Sequence, residues 1–136
     1  MKFYQAIFFL FISLCIPAFL FANDCWVISN IKGYAAYADQ SYNFIPDGLS
    51  NPIMLCFTSE GGKISGTDIH FLKFGNSTLA GYGGNDKGNE MFEIYQIDRV
   101  NKKLLYTKSR IGTKTIAPRF SDVVCSYIGE ASKVKE

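Results

Sequence analysis

The chain has 136 residues, with 14 Lys and Arg against 12 Asp and Glu, a formal net charge of +2 at pH 7. This length has room for one domain. Because the positive and negative charges are nearly balanced, net charge does not by itself indicate a class of partner. One histidine and four separated cysteines provide no zinc-ligand spacing, so we expect neither a metal site nor a cofactor.

Residues 1–22 are predicted to be a cleavable signal peptide. Lys2 is the only charge before Asp24, and an apolar run over residues 6–21 leads to Ala22. A positive start, an apolar run and a small residue at its end are typical of secretory signals. The run is shorter than the roughly 20 residues that a membrane-spanning helix needs. We therefore expect a secreted or periplasmic protein, cleaved after Ala22 or alternatively Ala18, with no transmembrane segment in the mature chain.

Three cysteines follow the predicted cleavage site. An oxidising compartment favours a disulfide, and an odd number leaves one thiol over. We predict a Cys25–Cys125 bridge joining the first strand to the last, with Cys56 as a free, buried thiol in an apolar segment.

Residues 23–129 are predicted to form one mainly β domain, and residues 130–136 a polar C-terminal tail. Short apolar runs alternate with Gly- and Asn-containing turns, and the connections after residue 53 are too short for parallel crossovers. An antiparallel meander follows, as either a two-sheet sandwich or a small barrel. The predicted strands cover residues 26–31, 34–38, 53–58, 69–74, 78–82, 91–98, 103–111 and 123–128.

His70 is the one candidate for a catalytic base. Asp68 could orient it, and Ser65 or Cys56 could be considered as a nucleophile. Nothing in the sequence brings these groups together, and no nucleophile motif is present. We predict an ordinary strand histidine and a non-enzymatic protein.

The most informative segment is the basic run over residues 99–119, which contains no acidic residue. Alternation along its strand places Tyr106, Lys108 and Arg110 on one face, and we interpret the opposite face, with Leu105 and Ile111, as the core side. An aromatic ring beside two cations suits a carboxylate- or phosphate-bearing surface. A charged, aggregation-resistant strand edge is the alternative interpretation. The predicted partner-binding residues are Tyr106, Lys108, Arg110, Arg99 and Lys103.

Size, the predicted export signal and the β-rich meander are similar to those of the small periplasmic inhibitors of lysozyme. Ser65-Gly66, in a connection between strands, resembles the Ser-Gly loop that those inhibitors insert into the enzyme. The tyrosine expected shortly after that pair is absent, because Ile69 and His70 stand there instead. A basic segment would also repel a basic lysozyme.

These features favour an exported, non-enzymatic binding domain. It would act as a periplasmic inhibitor or protective (immunity-type) protein on a protein partner or an anionic envelope component. Nucleic acid is a poor candidate, since export separates the protein from it. The alternative function is a small β-barrel that carries an apolar ligand.

Overall fold

The computed structural model describes residues 24–112 and 121–135. The predicted signal peptide lies outside the described residues. Nine strands and a single 3-10 turn, Ala38–Gln40, make up the described chain. The strands are β1 (Asp24–Tyr37), β2 (Phe44–Leu49), β3 (Ile53–Phe57), β4 (Gly62–Ile64), β5 (Phe71–Phe74), β6 (Thr78–Gly84), β7 (Glu90–Asp98), β8 (Lys103–Ile111) and β9 (Val123–Lys133).

These strands form one antiparallel sheet that closes into a barrel. Each strand from β3 to β8 pairs with the next along the chain, and β1 pairs with both β3 and β9. Eight strands therefore form the wall, and β2 is an additional strand beside β1. The predicted mainly β, antiparallel fold is confirmed, and the barrel is the correct one of the two architectures.

Strand β1 is long because it serves two partners in turn along the same edge. Its first half pairs with β3 and its second half with β2. The two halves meet at an irregularity in the β1–β9 register between Ser29 and Lys32, where Asn30 has a positive φ of 52°. The sequence predicted two separate strands here because Gly33 resembled a turn residue, and it missed β2, which contains Pro46 and Gly48.

One end of the barrel interior is apolar and closely packed. Its fully buried side chains include Ile28, Leu55, Leu79 and Leu104. At this end Arg99 forms an ion pair with Asp24 and lies over the rings of Trp26 and Phe57 at 5.5 and 5.2 Å. It also donates to the Ser77 hydroxyl at 3.0 Å and to the Asn76 carbonyl oxygen.

The disulfide prediction was wrong. The bridge joins Cys25 to Cys56, which are directly opposite on neighbouring strands β1 and β3. Among the described cysteines Cys125 is the free one, buried in the interior and opposite Ala35 on β1. The first and last strands, β1 and β9, do pair with each other. However, the register places Cys125 opposite Ala35, ten residues along β1 from Cys25.

The predicted C-terminal tail also begins too early. Strand β9 continues to Lys133, and Ala131 is buried opposite Ile28. Glu130 and Lys133 are exposed residues of a paired strand, so their charge does not mark its end. Over the described ranges, no helix is long and apolar enough to cross a membrane.

Candidate functional site

The predicted binding face of β8 points into the barrel. Leu104 and Tyr106 are buried and Lys108 and Arg110 are partly buried, whereas Leu105 and Ile111 are exposed. The prediction that Leu105 and Ile111 face the core was therefore wrong, and the two faces are exchanged. The alternation itself was correct, but it cannot distinguish inside from outside when the apolar residues are divided between both faces.

The remaining predicted residues do not join Tyr106, Lys108 and Arg110 on one surface. Arg99 is engaged at the apolar end of the barrel. Lys103 is partly exposed at the start of β8, with its amine 3.8 Å from the Glu130 carboxylate. The other basic residues of the run, Lys114 and Arg119, lie outside the described residues.

A buried carboxylate explains why β8 directs a lysine inward. The side chain of Glu93 on β7 is only 5% exposed, and Lys108, directly opposite, places its amine 2.7 Å from Oε1. The Tyr106 hydroxyl donates to the same oxygen at 3.0 Å, and the Tyr95 hydroxyl donates to Oε2 at 3.1 Å. Residues of β7 and β8 thus provide the buried Glu93 carboxylate with one cation and two hydroxyl donors.

A row of tyrosines crosses the interior next to this ion pair. Tyr95, Tyr106 and Tyr127 are successive cross-strand partners on β7, β8 and β9. The first two rings stack with centroids 4.4 Å apart, and the next pair is 5.7 Å apart. The row continues to Gly33, where a Cβ would lie 2.9 Å from a Tyr127 ring carbon. The absence of a side chain at Gly33 lets the Tyr127 ring lie there.

At the end of that row, hydrogen bonds to Asp47 connect β2 to the tyrosines of the interior. Its Oδ2 accepts hydrogen bonds from Tyr127 at 2.8 Å and Tyr37 at 2.5 Å, and its Oδ1 accepts one from the Gly48 N–H at 2.8 Å. Burial opposes ionisation, but these three donors outweigh it and hold the pKa of Asp47 below its usual value. The hydrogen bond to Asp47, with burial, raises the pKa of Tyr37 to about 12. The carboxylate therefore remains charged and the hydroxyl protonated at neutral pH.

Cys125 contributes a buried thiol to this interior. Burial raises the pKa of its thiol, which keeps it in the poorly nucleophilic protonated form. In the described part of the chain, no group of three His, Cys, Asp or Glu could hold a metal ion.

The outer surface of the same strands is almost free of charge, and we call it the uncharged face. It comprises three rows of cross-strand partners that run across β6, β7, β8, β9, β1 and β2, and Lys32 is its single charged residue. The rows are Tyr82, Phe92, Ser109, Val124, Ala36, Phe44; Ala80, Ile94, Thr107, Ser126, Tyr34, Pro46; and Thr78, Gln96, Leu105, Ile128, Lys32, Gly48.

Large apolar side chains on this face are open to solvent, whereas Ala36 in its first row is buried. Phe44, Tyr34 and Ile128 are 65%, 58% and 56% exposed. The next outward row contains charges on three successive strands, Asp98, Lys103 and Glu130. An apolar and hydroxyl-rich centre beside a charged border is the usual arrangement of a protein–protein interface. Sequence reasoning missed this face because it assigned Leu105 to the core.

A second surface feature is a groove of about 710 Å³ beside β4, whose lining includes Met54, Lys63, Ile64, Asp68, Ile69 and His70. His70 is exposed and precedes β5 rather than standing within a strand as predicted. The Ser65 hydroxyl accepts a hydrogen bond from the Met54 N–H at 2.8 Å, which holds it at the end of β4. Cys56, the other nucleophile considered, is in the disulfide.

The chain was also compared with protein-family models, with curated proteins and with solved structures, and none of the three comparisons returned a match.

Proposed function

We propose that the protein is an exported, non-enzymatic binding domain that engages a protein partner through the uncharged face. The observation that carries this proposal is the one charge among three rows of six outward residues. Blocking or sequestering that partner would make the protein an inhibitor or a protective, immunity-type protein.

The chemistry of the face favours a protein over an anionic envelope component. An anionic surface would be held by exposed cations, but Lys108 lies within the barrel against Glu93 and Lys32 is the only cation on the face. Exposed Phe, Tyr, Ile and Leu side chains gain free energy when a complementary surface removes them from water, at about 25 cal/mol per Å². Contiguous apolar patches of this kind mark interaction sites.

Two further features support export and binding. The Cys25–Cys56 bridge suits an oxidising compartment, as the predicted signal peptide does. The alternative function, transport of an apolar ligand, has less support. Phe71 and Leu104 are fully buried in the barrel, and stacked tyrosines cross it, so a ligand there would have to displace packed side chains.

The test is affinity capture with the mature domain, residues 23–136, from envelope and secreted extracts of the source cells. The decisive variant combines Leu105→Lys with Ile128→Glu, which are directly opposite on β8 and β9. The new charges face each other, and Glu at 128 also lies opposite Lys32, so the sheet gains compensating pairs while the face loses its uncharged character. We expect one partner recovered in near-equal amount by the wild type and lost with this variant.

The matched control combines Val27→Glu with Ser132→Lys, an outward cross-strand pair of β1 and β9 outside the three rows. It should retain the partner. Equal capture by all three proteins would remove the uncharged face from the function, and saturable displacement of a bound hydrophobic dye by a lipid extract would favour the carrier.

A further inference from the structure

The barrel wall is incompletely closed between β4 and β5. Their pairing consists of one residue pair, Gly62 with Phe71, whereas the neighbouring β5–β6 and β6–β7 pairs have longer registers. Continuing the antiparallel register would bring Ile64 opposite Ile69. Instead the two segments diverge, and the groove of about 710 Å³ lies between them. This volume is within the range of ligand-binding clefts.

The divergence leaves main-chain groups facing the groove. Ser65 N–H donates to the Met54 carbonyl, and Thr58 N–H to that of Gly61, so by alternation Ile64 directs its N–H and C=O away from β3. Among the described residues no hydrogen bond joins Ile64 to residues 67–70. The Ile69 N–H donates a hydrogen bond to the Thr67 hydroxyl oxygen at 3.2 Å.

The other free strand edge, on β2, is protected in a way that β4 is not. The Ala38 N–H donates to the Asp122 carbonyl, and alternation from this pair directs the main-chain groups of Phe44, Pro46 and Gly48 to the open side of β2. Pro46 has no N–H to offer and the Gly48 N–H donates to Asp47, so only Phe44, at the start of the strand, directs an N–H to that side. Such an edge resists pairing with another strand.

We propose that the β4–β5 groove binds an extended peptide segment of a partner, which adds as a strand along the β4 edge. Its main chain would pair with the N–H and C=O of Ile64. An inward β-branched side chain would contact Ile64 and Ile69, and an outward one would lie among Lys63, Asp68 and His70. Main-chain pairing with side-chain pockets of alternating character is the usual basis of strand addition.

The experiment measures amide hydrogen exchange of the folded protein by NMR, with the blocked peptide acetyl-Thr-Val-Thr-Val-Thr-amide as the probe. In the free protein the Ile64 amide should exchange faster than that of Lys63, which the register places in a hydrogen-bonded pair with Cys56. Saturating peptide should slow exchange at Ile64 by about tenfold or more, the effect of a gained hydrogen bond of ordinary strength. The same peptide with alternate residues N-methylated should not.

Paired variants locate the site. Met54→Trp places a large ring in the groove from an exposed position that lines it. Val27→Trp places the same ring at the cross-strand partner of Met54, which does not line the groove. The first should weaken peptide binding about tenfold and the second should leave it unchanged. Equal protection of Ile64 and Lys63 in the free protein, absence of slowing with peptide, or equal slowing by the N-methylated peptide would overturn the proposal. The Leu105→Lys/Ile128→Glu variant should bind this peptide normally, so failure here is distinct from failure of the uncharged face.

Discussion

On β7, β8 and β9, charged residues lie on the inner face and uncharged residues on the outer face, which is the reverse of what is expected for a small barrel. Inward, the strands carry Glu93, Lys108 and Arg110, together with three tyrosines that form a row across the interior. Outward, over the three rows of the uncharged face, these strands carry no charge at all. Glu93 and Lys108 pair with each other, and Arg110 donates to the Ser121 carbonyl oxygen at 3.2 Å. The outer apolar residues are exposed.

This difference shows that charge alone does not identify the solvent side of a strand. A buried ion pair stabilises the fold little more than apolar residues of similar volume would. The strands must nevertheless pair in the correct register, because a buried charge without its partner is costly. An exposed apolar face contributes little to folding, and we propose that this one serves a contact with a partner. The two faces should therefore respond to substitution in opposite ways.

The largest expected effect is on the inner face. Lys108→Met leaves the Glu93 carboxylate buried without its cation, and we expect a loss of about 3–5 kcal/mol in the free energy of unfolding, measured by urea denaturation. Adding Glu93→Gln to Lys108→Met should recover part of this loss, because an uncharged amide is less costly to bury. A loss below about 0.5 kcal/mol for Lys108→Met would mean that this pair is not buried as described.

A smaller effect is expected at Asp47. Tyr127→Phe removes one of its hydrogen-bond donors and should cost about 1–2 kcal/mol at pH 7. Because the folded-state pKa of Asp47 is lowered, its contribution is complete above the unfolded value of about 3.9 and is lost as the pH falls through the folded pKa. The difference in Tm between wild type and Tyr127→Phe, followed by circular dichroism, should therefore narrow between pH 5 and pH 2. A constant difference would contradict the role of Asp47.

The smallest effect on stability belongs to the outer face. Leu105→Lys with Ile128→Glu should change the free energy of unfolding by less than about 0.5 kcal/mol, since neither side chain contributes to the core. Thermal unfolding measures this directly. A loss comparable to that of Lys108→Met would show that this face is covered within the folded protein.

The strands that the sequence predicted best are those with unbroken alternation and clear turns. The predictions for β7 and β8 each came within one residue of the observed bounds. β2 and β4 were missed because Pro46, Gly48 and Gly62 are residues of turns in most contexts. They form strands here because pairing with β1 and β3 supplies what local preference does not.

The candidate sites were less predictable than the fold. Placing Lys108 inside requires knowing that Glu93 is its cross-strand partner, and that register depends on the turn between β7 and β8. The Cys25–Cys56 bridge likewise depends on β1 changing partners along its length. A clue was present in Leu105, Thr107, Ser109 and Ile111, which are only modestly apolar for a core face.

Site-specific photo-crosslinking shows directly whether a partner contacts the uncharged face. A photoreactive residue at Thr107, at the centre of the uncharged face, is compared with one at Asn101, in the turn after β7, in the source cells. We expect a discrete crosslinked product between the protein and one partner from position 107 and none from position 101. A partner that crosslinks only from position 101, or from both positions equally, would contradict the assignment of the uncharged face as the binding surface.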